Sequence, residues 1–144
     1  PDIVNLSEIN EGYIFVPFQV DYDTQIISHS PWIKDMESFY EVLNSLVSTL
    51  HNGINIIIKE HPKSSRNYEF LHHRNPRIKF DNQSGTEDLV LNSELIITIN
   101  STVGLESIIK DKPVMVLGRA FYAIEGLCQK ASSEAEVIFK ARCI

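Results

Sequence analysis

Apolar positions along this chain fall into two rhythms that alternate. Unbroken runs rich in β-branched residues occupy residues 13–18, 54–59, 95–99 and 114–117, with a shorter one at 77–80. Runs of this kind, with no polar residue at every second place, mark strands buried on both faces. Between them the period lengthens. Met36, Phe39, Tyr40, Leu43, Leu46, Val47 and Leu50 recur at three- and four-residue steps and predict an amphipathic helix over residues 35–52. Asp35 is placed to cap its start, and Gly53 to follow its end. Further helices are predicted over 64–73, 86–92, 103–110 and from Ser132 or Ser133 to Arg142. Strands alternating with helices in this order predict an α/β fold, a Rossmann-like parallel sheet with flanking helices.

The most informative stretch is 95–117. A buried strand runs into Asn100-Ser101-Thr102, residue types that cap helices through side-chain oxygens. A helix follows, with Val103, Ile108 and Ile109 as candidate packing positions. Asp111-Lys112-Pro113 ends it, and the next strand returns parallel to the first. In an open parallel sheet such a turn stands at the carboxyl ends of the strands, where ligands bind. Free N–H groups and the positive end of the helix dipole suit it to a phosphate. Gly104 keeps the first turn free of a side chain.

Composition narrows the partners. The chain has 144 residues, about one domain, and a net charge of −6, which argues against a general nucleic-acid binder. Cys128 and Cys143 form neither a zinc pattern nor a disulfide framework, and a reducing cytosolic compartment fits them. No apolar run approaches the roughly 20 residues of a transmembrane helix, and no signal peptide is visible. A chain that opens on Pro1 rather than Met reads as a piece of something larger.

Three constellations could carry chemistry. In the first, Asn100, Ser101, Thr102 and Gly104 form the turn, with Glu106 four residues after Thr102 and so on the same helix side. These groups could hold a phosphate and meet ribose hydroxyls; equally, they could be a helix cap and a Glu106–Lys110 surface ion pair. The second is Lys59-Glu60-His61-Pro62 at the end of a buried strand, where Pro62 holds His61 extended. His61 could donate to a phosphate and Lys59 supply charge, or the histidine could be structural. No second ligand stands at a metal-binding spacing from it. His72 and His73 read as surface residues. The third is the loop from Gln19 through Asp21, Asp23 and Gln25 to His29. It offers a carboxylate base or nucleophile, or a solvated turn. Phe121-Tyr122 could stack on a base or pack beneath a loop.

Taken in order, these motifs resemble the capsule polysaccharide biosynthesis family. They are Gln19-x-x-x-Asp23-x-Gln25-x-x-x-His29-Ser30, Lys59-x-His61-Pro62, Asn100-Ser101-Thr102-x-Gly104-x-Glu106, Lys112-Pro113-Val114 and Gly118-x-Ala120-Phe121-Tyr122. The resemblance spans residues 13–122. Each motif alone is weak, but five in order are fairly specific. The best-understood members are bacterial Kdo transferases that use CMP-Kdo. The resemblance therefore implies one half of a GT-B-like glycosyltransferase, with residues 1–144 as a single nucleotide-sugar-binding domain cut from a larger transferase.

By the same resemblance, His61 and Pro62 would line the cytidine-phosphate site. Ser101 and Thr102 would hold the phosphate and Glu106 would meet the ribose. Asp23, two residues from Asp21, would be the catalytic carboxylate of a retaining reaction. The donor would be a CMP-sugar, with no metal and no separate cofactor. The acceptor, a glycolipid or oligosaccharide, would be bound by a missing N-terminal half. The implied location is cytoplasmic, with peripheral attachment to the inner membrane an option. The alternatives are a sialyl- or polyol-phosphate-transferase domain with a CMP- or CDP-linked donor, a UDP- or GDP-sugar epimerase-like protein, and a non-catalytic nucleotide-binding module.

Overall fold

The computed structural model describes residues 12–20, 29–51, 53–64 and 66–142. In chain order these form β1 (Tyr13–Pro17), α1 (Met36–Val47), β2 (Asn55–Lys59), a 3₁₀ turn (Glu69–Leu71), β3 (Ile78–Phe80), α2 (Thr86–Leu91) and β4 (Leu95–Thr98). Then come α3 (Thr102–Ile109), β5 (Val114–Val116), β6 (Gln129–Lys130) and α4 (Glu134–Ala141). The strands make one six-stranded sheet in the order β3-β2-β1-β4-β5-β6, and each neighbouring pair is parallel. The Rossmann-like expectation holds.

Alternation along each strand divides the core between the two faces of the sheet. Ile14, Val16, Ile56, Ile58, Ile97 and Met115 point to one face and pack with Met36, Phe39, Leu43 and Leu46 of α1 and Val137 of α4. Phe15, Ile57, Ile96, Val114 and Val116 point to the other, against Leu89 and Val90 of α2 and the inner side of α3. Covering both faces is what requires unbroken apolar strands.

Several local expectations shift. Asp35 does cap α1, its carboxylate accepting from Ser38 N at 2.7 Å, but the helix ends at Val47 rather than Asn52. There the hydroxyls of Ser48 and Thr49 take the carbonyls of Ser45 and Leu46. The guanidinium of Arg77 then holds the carbonyls of Val47, His51 and Ile54, each at 2.7 Å. Gly53 is therefore a turn residue ahead of β2, not the helix cap. The helix expected over 64–73 shrinks to one 3₁₀ turn, because of the described residues there only Tyr68 and Leu71, three apart, are buried. Asn67 Oδ1 closes the turn by accepting from Glu69 N. His72 is no surface residue: it stacks on Phe80 at 4.2 Å and meets Glu60. Ile109 is 72% exposed, so only Val103 and Ile108 of the three pack. Asp111 ends α3 in the left-handed region, φ 59°, with Lys112 N bonding back to Ser107 O. Among the described residues, no helix is long and apolar enough to cross a membrane.

Arg77 enters β3 at its amino end, far from the carboxyl edge, and its role is structural. Replacing it with alanine should cost about 2–4 kcal/mol of stability, since three short charge-assisted bonds leave carbonyls without a partner. Urea unfolding measures this; a loss below 1 kcal/mol would show that water replaces the guanidinium without cost.

Candidate nucleotide-binding cleft

Strand order reverses between β1 and β4, so the connections leaving their carboxyl ends diverge and open a crevice there. Some of the residues singled out in the sequence meet at this edge. A cleft of about 210 Å3 is lined by Gln19 after β1, His61 after β2, Asn100, Ser101 and Thr102 after β4, and Ala120, Phe121 and Tyr122 after β5. Chain segments far apart in sequence converge because all the strands are parallel.

The turn that enters α3 has nearly all its polar groups occupied. Ser101 is the N-cap, its hydroxyl accepting from Val103 N at 3.2 Å. Ser101 N donates to Thr98 Oγ1, and Gly104 N to Ser101 O. Asn100 N donates to Gln19 Oε1, and Tyr122 donates its hydroxyl hydrogen to Ser101 O. Thr102 is the exception: it is exposed, and neither its N–H nor its hydroxyl has a partner among the described residues. A donor pair therefore stands at the positive end of the α3 dipole.

His61 adds a third donor. Its Nδ1 accepts from Lys63 N at 3.0 Å, which leaves Nε2 as the protonated nitrogen. A second hollow, about 340 Å3, lies beyond His61 and is lined by Lys59, Glu60, Pro62, Ser64, Arg66 and Asn82. Lys59 is held there by Ser84 O at 2.8 Å, so its ammonium stands beside the cleft rather than in it. Pro62 is exposed.

The remaining candidates divide. Gly104 is buried, and a Cβ there would come within 2.6 Å of Tyr122 Oη and 3.0 Å of Thr98 Cγ2. Its bareness serves the tyrosine packed over the turn, which sequence reading did not foresee. Of the aromatic pair, Tyr122 packs beneath, at 4% exposure, while Phe121 stands 80% exposed at the cleft. Glu106 is exposed and does not pair with Lys110, which reaches Glu87 of α2 at 3.3 Å instead. Gln19 stood in a motif without a role; its partner across the sheet could not be read from spacing. Asp21, Asp23 and Gln25 lie outside the described residues. Among the described residues no group of three or more His, Cys, Asp or Glu side chains gathers as a metal site.

A parallel sheet with a switch-point cleft and a helix N-terminus at its carboxyl edge is the Rossmann-like architecture of one half of a GT-B glycosyltransferase. The family described as capsule polysaccharide biosynthesis protein matches residues 2–142, and the chain belongs to that family. Protein FixF of Sinorhizobium fredii is 39% identical over 120 residues, covering 83% of this chain and 30% of FixF. The capsule polysaccharide export protein KpsS of Escherichia coli is 30% identical over 131 residues, 85% of this chain and 34% of KpsS. The chain thus spans about a third of the length of these curated relatives. The solved structure of Thermosulfurimonas dismutans KpsC, a beta Kdo 2,7 transferase, superposes with a TM-score of 0.67 at 28% identity, over 87% of this chain and 40% of that one.

Two outcomes follow, one from the packing over the turn and one from the buried tyrosines. Helix propensity alone favours Gly104→Ala by about 1 kcal/mol, but the contact with Tyr122 reverses the sign, and a loss of about 1–3 kcal/mol is expected. Adding Tyr122→Phe should recover part of it; a stabilised single variant would contradict the close contact.

The second outcome concerns alkaline pH. Burial first, then Asp81 and Asp88, push the Tyr13 hydroxyl up to about 12. Burial first, then Cys128, raises Tyr122 as well. Both groups are raised in the folded state, so their contribution is whole below the ordinary tyrosine value of about 10 and is lost as pH climbs through the folded values. Urea midpoints should hold up to about pH 10 and fall above it, less steeply in Tyr13→Phe; equal slopes would remove Tyr13 from the effect.

Proposed function

We propose that this chain is the donor-binding domain of a capsule-type glycosyltransferase, and that its cleft takes a CMP-linked sugar with Kdo as the expected sugar. The observation that carries the reading is the donor set at the α3 N-terminus. Thr102 offers one N–H and one hydroxyl that have no partners among the described residues, and His61 offers Nε2–H in the same cleft. Three donors suit the single phosphate of a nucleoside monophosphate leaving group, and they act where negative charge develops as the glycosyl–phosphate bond breaks. The similarity to KpsC, a beta Kdo 2,7 transferase, supports the sugar.

In this scheme Ser101 and Thr102 hold the phosphate, while Asn100 and Gly104 shape the turn. His61 and Pro62 line the cytidine-phosphate side, Lys59 adds positive charge at the rim, and exposed Glu106 meets the ribose. Asp23 is the proposed catalytic carboxylate, with Asp21 the alternative. Its oxygen bonds the anomeric carbon as the bond to phosphate breaks and CMP departs with the electron pair. An acceptor hydroxyl then displaces the carboxylate with loss of its proton. That acceptor, a glycolipid or oligosaccharide, is held by a second half of the full-length protein, at the cytoplasmic side of the inner membrane. No metal or resident cofactor enters the scheme.

Calorimetric or NMR titration of the chain with CMP, CDP, UMP and GMP tests the donor. Selective CMP binding, weakened about tenfold or more by His61→Ala and by Thr102→Val, is expected. Selectivity for UMP or GMP would overturn the CMP reading. In the full-length protein Asp23→Ala should abolish transfer with donor affinity kept; undiminished transfer would remove Asp23 from the chemistry. CMP binding with no transfer by the unaltered full-length protein would leave a non-catalytic nucleotide-binding module.

A further inference from the structure

Gln19 and Asn100 form a reciprocal amide pair across the crevice. Gln19 Nε2 donates to Asn100 Oδ1 at 2.9 Å, and Asn100 N donates to Gln19 Oε1 at 3.1 Å. The two residues are 81 positions apart and only 5% and 6% exposed. No backbone bond of the β1–β4 ladder reaches this far, since the paired register covers Ile14 with Leu95 and Phe15 with Ile96. The side-chain pair is thus a tether between the two diverging ends.

What it tethers is the peptide that leads into the anion turn. Asn100 N precedes Ser101, the cap, and Thr102, whose donors have no partner among the described residues. From the opposite side Tyr122 grips Ser101 O. Between these two holds, the turn has one orientation, and the Thr102 N–H is the group left over. Without Gln19 the buried Asn100 N–H loses its acceptor, and the peptide gains by rotating toward another one.

We propose that Gln19 is a positioning residue: its carboxamide fixes the Asn100–Ser101 peptide so that the turn presents its remaining donors to a bound phosphate. The inference rests on the reading that this cleft takes a nucleotide phosphate. A reciprocal pair needs a donor and an acceptor on one planar group, which glutamine supplies without charge. Methionine fills similar volume and offers neither bond. Glutamate keeps both bonds if the Asn100 amide turns over to donate Nδ2, but it brings a negative charge to an anion site.

The test compares the unaltered chain with Gln19→Met, Gln19→Glu and the remote Arg77→Ala. CMP and inorganic phosphate serve as probes, and amide hydrogen exchange at Asn100, Ser101 and Thr102 serves as the readout of the turn. Gln19→Met should weaken both probes about tenfold and speed exchange at Asn100. Gln19→Glu should keep Asn100 protected yet bind weakly, with the deficit shrinking as salt rises. Arg77→Ala should lower the urea midpoint and leave affinity alone, separating positioning from stability. Equal affinity and equal exchange in Gln19→Met would overturn the proposal. If the unaltered chain binds neither probe, the nucleotide reading fails by itself. Exchange then decides about Gln19: unchanged protection in Gln19→Met refutes the tether, and lost protection upholds it.

Discussion

The reversal of strand order between β1 and β4 is the constraint on which the rest depends. Every connection to the left of that line crosses one way and every connection to the right crosses the other, because parallel crossovers have a fixed hand. The two central strands therefore deliver their chain ends to a gap that no further strand fills. Backbone groups at such a gap lie partly out of reach of water, and each needs an acceptor or donor. Gln19 and Asn100 answer that need with side chains. The crevice is thus a by-product of topology, and the polar residues in it are first of all what keeps the topology affordable.

The same reasoning accounts for the tyrosine over α3. A helix that starts directly at a strand end must bury its first turn against whatever follows the next strand. Here that is Tyr122, whose ring lies with Phe15, Val116 and Leu89 in the second-face core. Its hydroxyl would be costly there without a partner, and Ser101 O supplies one. Room for the ring exists because residue 104 lacks a Cβ. Packing and site geometry are not separable at this point: the contact that seals the core also fixes the carbonyl beside the proposed phosphate.

Much of this was legible in the sequence, for a physical reason. β2 and β4 are buried on both faces, so burial writes itself as uninterrupted Ile-rich runs, and α1 carries a full apolar stripe. β6 escaped, because Gln129 and Lys130 are exposed at the sheet edge and no burial constrains their side chains. The early end of α1 escaped too, since it is set by Arg77, some 30 residues on, as the contact with Val47 records. At the cleft, the cap residues and His61 could be placed from local signals. The Gln19–Asn100 and Tyr122–Ser101 bonds could not, because both are long-range and neither residue type announces its partner.

The charges near the cleft suggest how recognition there differs from simple attraction. Lys59 is engaged by Ser84 O, and Arg66 by Glu37 at 2.8 Å; the chain as a whole carries −6. An anion at the α3 N-terminus, as proposed, would thus be met mainly by oriented N–H and O–H dipoles rather than by opposed full charges. Dipoles discriminate by direction, and their effect fades within the first turn. A small rotation of the Asn100–Ser101 peptide therefore matters more here than it would beside an arginine fork, whose charge acts over a longer range. Recognition of this kind is only as good as the rigidity of the turn. That rigidity comes from the amide pair on one side and the tyrosine on the other, which is why residues that need never touch the proposed phosphate belong to the account of how it would be held.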